Sequence, residues 1–355
     1  MKLLYVNSTR RWGGVKSWSL RTARALAAHG HEVSVAGRRG DPFLTACGEA
    51  GLPVLPCAFG ASWSPVLIAR FVAWMRRTGV QAVVCNTGRD LSTAGVAAWL
   101  CGVPVVHRVG SATDFRDTWV RRLVHRRVVR RMLVPADVMR RELLDRFPWI
   151  RPEEVAVSWN AAEAPVGGPS HGQSGRVVCL GRLAKGKGLE GLLRAVATVK
   201  KAGLSLQLDV VGEGELEPEL RHLVRELGLD ECVRMPGFIR PASHALQLAQ
   251  VGVLPSLAEG FPNTLIEYWA AGLAVVASDL PGVREAMDGD AAALLVPPGD
   301  EEALAGMLCR VLENEDLRLN TAEAGLARMA KCFSTVLESK RLECFYEDLV
   351  RRLPV

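Results

Sequence analysis

The chain lacks paired cysteines. Nine are scattered at positions 47, 57, 85, 101, 179, 232, 309, 332 and 344, and no two form a Cys-x-x-Cys unit. An odd number without paired spacing indicates neither a zinc site nor a disulfide framework, so buried thiols in a reducing cytoplasm are expected. Long apolar runs are missing too. Met1 to Val6 is apolar in the main, but Asn7-Ser8-Thr9-Arg10-Arg11 follows at once. A secretory leader needs an apolar stretch of about 7–15 residues, so none is expected. The longest near-apolar run, Ala94 to Val106, is broken by Gly102 and Pro104, whereas a bilayer-spanning helix needs about 20 residues. There is no short repeat and no low-complexity tract. With 49% apolar and 23% charged residues, a disordered or fibrous chain is excluded.

What is present is length for two cores and an uneven charge. A chain of 355 residues suits two domains of roughly 150 to 180 residues each. The net charge of +6 hides a split: residues 1–165 carry 24 basic and 12 acidic side chains, net +12, and residues 166–355 carry 20 and 26, net −6. The two halves are therefore expected to face different partners. Short β-branched runs alternate with helix-periodic segments, which points to parallel sheets with crossover helices. The first series of strand candidates is Leu3–Asn7, Glu32–Ala36, Val54–Cys57, Ala82–Cys85, Val103–Val106 and Met132–Val134, with a helix over Val15–His29. The second is Val177–Leu180, Leu206–Val211, Val233–Met235, Gly252–Leu254, Ala274–Ala277 and Ala292–Val296. Asn160 to Ser174, rich in Ala, Gly, Pro and Ser, reads as the linker. The expected domains are residues 1–165 and 166–335, followed by a helix in 336–355 that packs on its own domain or returns to the first. Two doubly wound sheets so joined bind a ligand in the cleft they face, at the carboxyl ends of the strands.

The densest chemistry lies in Ala258-Glu259-Gly260-Phe261-Pro262-Asn263-Thr264-Leu265-Ile266-Glu267. It follows a strand and opens a helix whose start suits Pro262 or Asn263. The amides of Asn263, Thr264 and Leu265 at that helix start favour an anion. Glu259 before the helix and Glu267 within it can accept hydrogen bonds from hydroxyl pairs, so the layout suits a ligand with a central phosphate and hydroxyls at both ends. A nucleotide-sugar has that layout. The plainer alternative is a loop glutamate and a helix glutamate that complements the dipole. A second constellation, Gly181-Arg182-Leu183-Ala184-Lys185-Gly186-Lys187-Gly188, also follows a strand. Its glycines let the loop bend and its cations can grip a diphosphate, with Lys185 and Lys187 both sterically suited. It is not a P-loop, and its plainer alternative is a solvated basic turn.

These segments resemble the donor domain of the family 4 glycosyltransferases, retaining enzymes with the GT-B fold. That family's Glu-x7-Glu motif matches Glu259 to Glu267, including the Glu-Gly-Phe start. Its Gly-Arg-Leu-x3-Lys-Gly motif matches Gly181, Arg182, Leu183, Lys187 and Gly188. Val210-Val211-Gly212-Glu213-Gly214, Pro236-Gly237-Phe238, Ala271-Gly272 and Pro281-Gly282-Val283-Arg284-Glu285 also fit, in order. The N-terminal half matches more loosely through Trp12-Gly13-Gly14 and Leu26-x3-Gly30-His31-Glu32-Val33. The resemblance implies an α/β chain of two Rossmann-like, doubly wound parallel-sheet domains facing a cleft. It implies that Arg182 and Lys187 clamp the donor diphosphate, that Glu259 holds the sugar hydroxyls and Glu267 the ribose, and that Pro236–Phe238 receive the base. Gly212, Glu213, Gly260, Phe261, Asn263, Thr264 and Leu265 complete the donor contacts, and Gly13 and Gly14 let backbone approach phosphate or acceptor. No metal and no cofactor are expected, the nucleotide-sugar (a UDP-sugar is expected) being a substrate. Same-face attack, with the leaving phosphate taking the acceptor proton, is the mechanism implied.

The chain departs from the pattern in places. Family members carry a histidine after a Gly-x-Pro turn in the first domain; here His107 comes about three residues early and Gly110 holds the expected place. The usual Asn-Gly near the linker is Asn160-Ala161. Pro262-Asn263-Thr264 after Glu-Gly-Phe resembles the branch acting on bacterial surface polysaccharides and lipid-linked oligosaccharides. Asp288-Gly289-Asp290 has the look of a metal motif but reads better as a solvated turn.

Positive charge peaks at Arg116 to Arg131. If Asp117 to Val129 is helical, Trp119, Val120, Leu123, Val124 and Val128 fall on one arc. Arg121, Arg122, His125 and Arg126 fall opposite, with Arg127 on the apolar side. An anionic membrane surface or a lipid-diphosphate acceptor suits such a face, and a solvated face of a core-packed helix is the alternative. Nucleic acid is not expected, because aromatics are not interleaved. The expected activity is transfer of a hexose or N-acetylhexosamine from a nucleotide-sugar to a saccharide or lipid-linked acceptor, at the inner face of the cytoplasmic membrane. The alternatives are a nucleotide-sugar epimerase or hydrolase on the same fold, or a non-catalytic nucleotide- or glycan-binding protein. A dehydrogenase is disfavoured, since no Gly-x-Gly-x-x-Gly follows the first strand.

Overall fold

A computed structural model of the chain describes residues 1–10, 12–110, 117–163, 172–239 and 241–351. They form two compact units, one of Met1–Asn160 with the C-terminal segment from Thr335, the other of Ala161–Ser334. Most of the expected linker falls outside the described residues, as does Arg116.

The first unit is built on seven parallel strands: β1 (Lys2–Asn7), β2 (Glu32–Arg38), β3 (Val54–Cys57), β4 (Ala82–Cys85), β5 (Val105–Arg108), β6 (Val129–Val134) and β7 (Val155–Val157). Their order is β3-β2-β1-β4-β5-β6-β7. Parallel strands need crossovers, and helices α1 (Gly14–Ala28), α2 (Pro42–Glu49) and α3 (Pro65–Thr78) supply the first three. Their starts follow local rules: Asp41 accepts from the Phe43 amide with Pro42 behind it, and Ser64 accepts from the Leu67 amide with Pro65 behind it. After β4 a short helical stretch, α4 (Gly88–Asp90), passes through a π turn over Leu91–Gly95 into α5 (Val96–Leu100). Then come α6 (Trp119–Val128) and α7 (Asp137–Arg146). Successive strand side chains point to opposite faces, so one strand feeds two cores. Leu3 and Tyr5 join Trp18 and Leu26 of α1 on one face, while Leu4 and Val6 join Phe71 and Met75 of α3 on the other.

The second unit has six parallel strands: β8 (Arg176–Leu180), β9 (Gln207–Val211), β10 (Val233–Gly237), β11 (Val251–Leu254), β12 (Ala274–Ser278) and β13 (Leu294–Val296). Their order is β10-β9-β8-β11-β12-β13. The helices are α8 (Leu189–Lys201), α9 (Glu217–Glu226), α10 (Ser243–Leu246), α11 (Asn263–Ala270), α12 (Pro281–Met287), α13 (Glu301–Glu313) and α14 (Glu315–Cys332). The buried Tyr268 hydroxyl accepts from the Leu180 amide at 2.7 Å and lies 3.2 Å from the Val253 carbonyl, tying β8 to β11.

The last helix, α15 (Thr335–Arg351), belongs to the first unit. Leu342, Tyr346 and Leu349 enter its core, and the Tyr346 and Tyr5 hydroxyls meet at 2.8 Å. Among the described residues no helix is long and apolar enough to cross a membrane. Among the described residues no disulfide joins the cysteines, and Cys47, Cys57, Cys85, Cys179 and Cys232 are buried.

Candidate active site

Both sheets reverse their winding once, between β1 and β4 in the first unit and between β8 and β11 in the second. At such a point the loops leaving two neighbouring strands diverge and open a crevice at their carboxyl ends. The two motif segments of the second half leave β8 and β11. Residues about 70 positions apart in sequence are thereby brought to one edge.

The loop Gly181–Gly188 is fixed by its backbone. The Gly181 amide donates to the Val211 carbonyl, Leu183 to Glu213, and Gly212 to Gly237. A side chain is barred at Gly212 and at Gly188. A Cβ on Gly212, whose φ is +146°, would lie 1.8 Å from the Gly181 carbonyl oxygen, and one on Gly188, φ +65°, would lie 2.0 Å from that of Pro255. These glycines let the β8, β9 and β11 loops touch. Lys187 is thereby carried to the β11 loop, where its Nζ lies 2.5 Å from Glu259 Oε1. The Ser256 hydroxyl donates to the same oxygen at 2.7 Å. Glu259 is the more buried partner, and Lys187 keeps a third of its side chain exposed.

Asn263 is the first residue of α11, after Pro262. The amides of Asn263 and Thr264 have no intrahelical acceptor by geometry, while that of Leu265 turns back to the Pro262 carbonyl at 3.1 Å. That removes Leu265 from the expected set of three free amides. Its side chain is core, and Phe261 is buried against Phe333 with ring centroids 5.8 Å apart. Gly260 and Glu213 lie exposed in their loops, and Glu267 is half-buried on α11. Pro236 and Gly237 end β10, and the Phe238 ring beyond them is 52% exposed, a free aromatic face beside the edge strand. Arg182 is turned to Glu215, Nη2 to Oε2 at 2.7 Å, so the loop's two matched cations have separate carboxylates. Sequence reasoning missed Ser256 and Glu215; the only signal for Ser256 was a hydroxyl three residues before a glutamate.

In the first unit, Gly13 caps α1 with extended backbone (φ −175°), and Gly14 begins the helix. His107 lies in β5, buried, with its ring 4.9 Å from that of His125. Burial, then the neighbouring His125 and Arg121, hold its pKa well below the usual value. His125 is lowered to about 3, first by burial and then by Arg121. Both rings are therefore neutral interior groups.

The α6 face is a correction. Trp119 (77% exposed) and Leu123 (50%) point outward, not into the core, and His125 is the buried residue of the helix. Of the three arginines assigned to the surface, Arg122 and Arg126 are exposed and Arg121 is half-buried beside Gly88. The physical reason is that the His125 ring has aromatic partners inside, Trp149 at 5.8 Å and His107, while the indole of Trp119 has none among the described residues. The exposed arc is a Trp119–Leu123 stripe flanked by Arg122 and Arg126 on one side and Arg127 on the other.

Two Rossmann-like parallel sheets, the second bearing a lysine–glutamate pair at its switch point, define the GT-B class of fold. The crystal structure of Anabaena HepE with UDP-glucose superposes with a TM-score of 0.84 at 19% identity, over 98% of this chain and 100% of that one. The chain belongs to the family 4, or group 1, glycosyltransferases. The model described as Glycosyltransferase Family 4 matches residues 12–163, and that described as Glycosyl transferases group 1 matches residues 174–314. The amylovoran biosynthesis glycosyltransferase AmsK of Erwinia amylovora is 33% identical over 183 residues, 49% of this chain and 45% of that protein. The phosphatidyl-myo-inositol mannosyltransferase of Mycobacterium leprae is 28% identical over 356 residues, 94% and 92%. The chain spans a little under half the length of the first curated relatives that it matches.

Proposed function

We propose that the protein transfers a hexose or N-acetylhexosamine from a nucleotide-sugar, a UDP-sugar foremost, to a saccharide or lipid-linked acceptor in bacterial cell-surface glycan assembly. The observation that carries this reading is the Lys187–Glu259 pair, a cation and a carboxylate meeting at the switch point of the second sheet. Support for the pathway comes from relatives named for amylovoran and lipopolysaccharide core biosynthesis, and for N-acetylgalactosamine transfer to a diphospho-undecaprenol acceptor.

In this reading the bond from the sugar's anomeric carbon to the diphosphate breaks with its electron pair going to phosphate oxygen. The acceptor hydroxyl forms the new bond on the same face, and its proton passes to the departing phosphate, which retains configuration. Charge grows negative on the diphosphate and positive on the sugar. Lys187, Arg182 once released from Glu215, and the Asn263 and Thr264 amides offset the first. Glu259 accepts from sugar hydroxyls, Glu267 from the ribose, and Phe238 stacks on the base. The chemistry is complete without a metal ion.

The arginine-flanked Trp119–Leu123 stripe suits the anionic inner surface of a membrane, where indole and guanidinium settle at headgroup level. A lipid-linked acceptor would be met there. Thermal-shift screening of nucleotide-sugars tests the donor side, since a specific donor raises stability by mass action. Product analysis with and without acceptor then separates transfer from hydrolysis or epimerisation. Stabilisation by a donor with no product under any condition would favour a binding protein and sink the transfer reading.

A further inference from the structure

A tyrosine hydroxyl is built into the second sheet at its switch point. Among the described residues, β8 and β11 pair only through Val177 with Val251 and Val178 with Gly252, whereas β8 pairs with β9 along its whole length, Arg176 to Leu180. Alternate amides of a strand between two parallel neighbours face opposite ways. The Gly181 amide donates to Val211 on the β9 side, so the Leu180 amide faces β11, where the next rung would give it the Val253 carbonyl. That rung is not made directly. The Tyr268 hydroxyl stands in it, accepting from the Leu180 amide at 2.7 Å. The carbonyls of Val253 at 3.2 Å and Val178 at 3.3 Å are the acceptors in reach of its proton. Legs of 2.7 and 3.2 Å meeting at a hydroxyl span about 5 Å, against about 2.9 Å for a direct bond, so the inserted oxygen spreads the strands by about 2 Å where their loops begin.

Neighbours on both sides hold the hydroxyl there. The Tyr268 ring lies on Gly252, where a Cβ would come within 2.5 Å of it, so the ring requires glycine at that place in β11. Next to it on α11, the buried Trp269 donates Nε1 to the Ala292 carbonyl at 2.6 Å and packs on Gly325, where a Cβ would come within 2.3 Å. Burial, and then Cys179, push the Tyr268 pKa well above its ordinary value, so the hydroxyl keeps its proton. Beyond the spread the two loops meet again. The Leu257 amide donates to the Gly186 carbonyl at 2.8 Å, and Lys187 reaches Glu259.

We propose that Tyr268 is a positioning residue: its hydroxyl, inserted between β8 and β11, sets the separation of the loops that carry Lys187 and Glu259 without itself touching a ligand. The effect on turnover rests on the transfer reading above. The wedge in the sheet does not.

The test compares the full-length wild type, Tyr268→Phe and Gly252→Ala, with Tyr346→Phe as the control. The control loses a buried hydroxyl of the same kind, from the pair with Tyr5 in the first unit. The backbone amide resonances of Gly186, Lys187 and Glu259 should move in Tyr268→Phe and in Gly252→Ala, and stay in place in Tyr346→Phe. Release of UDP from UDP-glucose or UDP-N-acetylglucosamine should fall about ten-fold in kcat in Tyr268→Phe with KM nearly unchanged, since a misplaced cation costs most where the leaving charge develops. Tyr346→Phe should lower the melting temperature and keep the wild-type kcat. Resonance changes confined to Leu180, Val253 and their strand neighbours in a folded Tyr268→Phe chain overturn the positioning role. So does a loss of kcat that merely follows melting temperature across Tyr268→Phe and Tyr346→Phe. Moved loop resonances, in a protein whose wild type releases UDP from neither donor, would keep the wedge and remove the transfer reading for those donors. Equal UDP release by wild type and Tyr268→Phe, with the loop resonances in place, would do the reverse.

Discussion

Lys187 and Glu259, 72 positions apart, form a 2.5 Å ion pair across the carboxyl ends of two adjacent strands. On the proposed function, a nucleotide-sugar arriving there would divide the pair, its phosphate taking the lysine and its hydroxyls the glutamate. Either change alone, Lys187→Ala or Glu259→Ala, should therefore lower the transfer rate by roughly 10²–10³. The double variant should fall little further, because each residue's orientation depends on the other. Steady-state rates of the four proteins form the cycle, and full additivity would show that the pair does not act as a unit.

Phe238 offers an exposed ring beyond β10. Phe238→Ala should weaken nucleotide binding by about ten-fold, in line with the loss of one base–aromatic stack. Fluorescence titration with the free nucleotide checks it. An unaltered dissociation constant would move the base elsewhere.

Gly212 packs against the Gly181 carbonyl with no room for a methyl group. Gly212→Ala should cost about 2 kcal/mol or more of stability, because both φ and the contact must relax. It should also abolish donor-induced stabilisation, whereas Gly203→Ala, whose Cβ meets nothing within 4 Å, should bear only the cost of its positive φ. Denaturant midpoints and donor thermal shifts measure both.

Glu338 on α15 accepts from the Ser158 hydroxyl at 2.7 Å and faces Arg341 and Arg108. Burial raises its pKa from 4.5 to about 7. The unfolded chain thus ionises this group while the folded chain still holds the proton. The associated stability is fully present below pH 4.5 and is lost as pH rises through 7. Glu338→Gln should remove that dependence and stabilise the protein at pH 8 by on the order of 2 kcal/mol relative to wild type. Little difference is expected at pH 4.5. Parallel unfolding curves at the two pH values would contradict this.

Trp119 and Leu123 should insert at an anionic bilayer surface. Sedimentation with phosphatidylglycerol vesicles should fall sharply for Trp119→Ser/Leu123→Ser and for Arg122→Glu/Arg126→Glu/Arg127→Glu. Equal binding by all three proteins would reject this face.

Strands and helices were mostly legible because β-branched runs and helical spacing are local. Helix α1 appears within one residue of its expected bounds. Strand β7 escaped because three residues show no period, and β5 begins two residues later than Val103 since Pro104 lacks an amide to donate. The two motif segments that follow β8 and β11 were legible through motif order. That Lys187 meets Glu259 and Arg182 meets Glu215 was not, because sheet order decides it. The α6 face was misjudged for another reason. Periodicity separates two arcs without saying which is inside, and a histidine with ring partners can displace a tryptophan from the core.

The first unit's chain crosses out at Asn160 and back at Thr335. The second unit is therefore an insertion whose two ends meet: Ala162 donates to the Phe333 carbonyl at 2.9 Å and bridges Ser334. Evolution or an engineer could lift this module out and exchange it as a cassette, while the first unit keeps its closing helix.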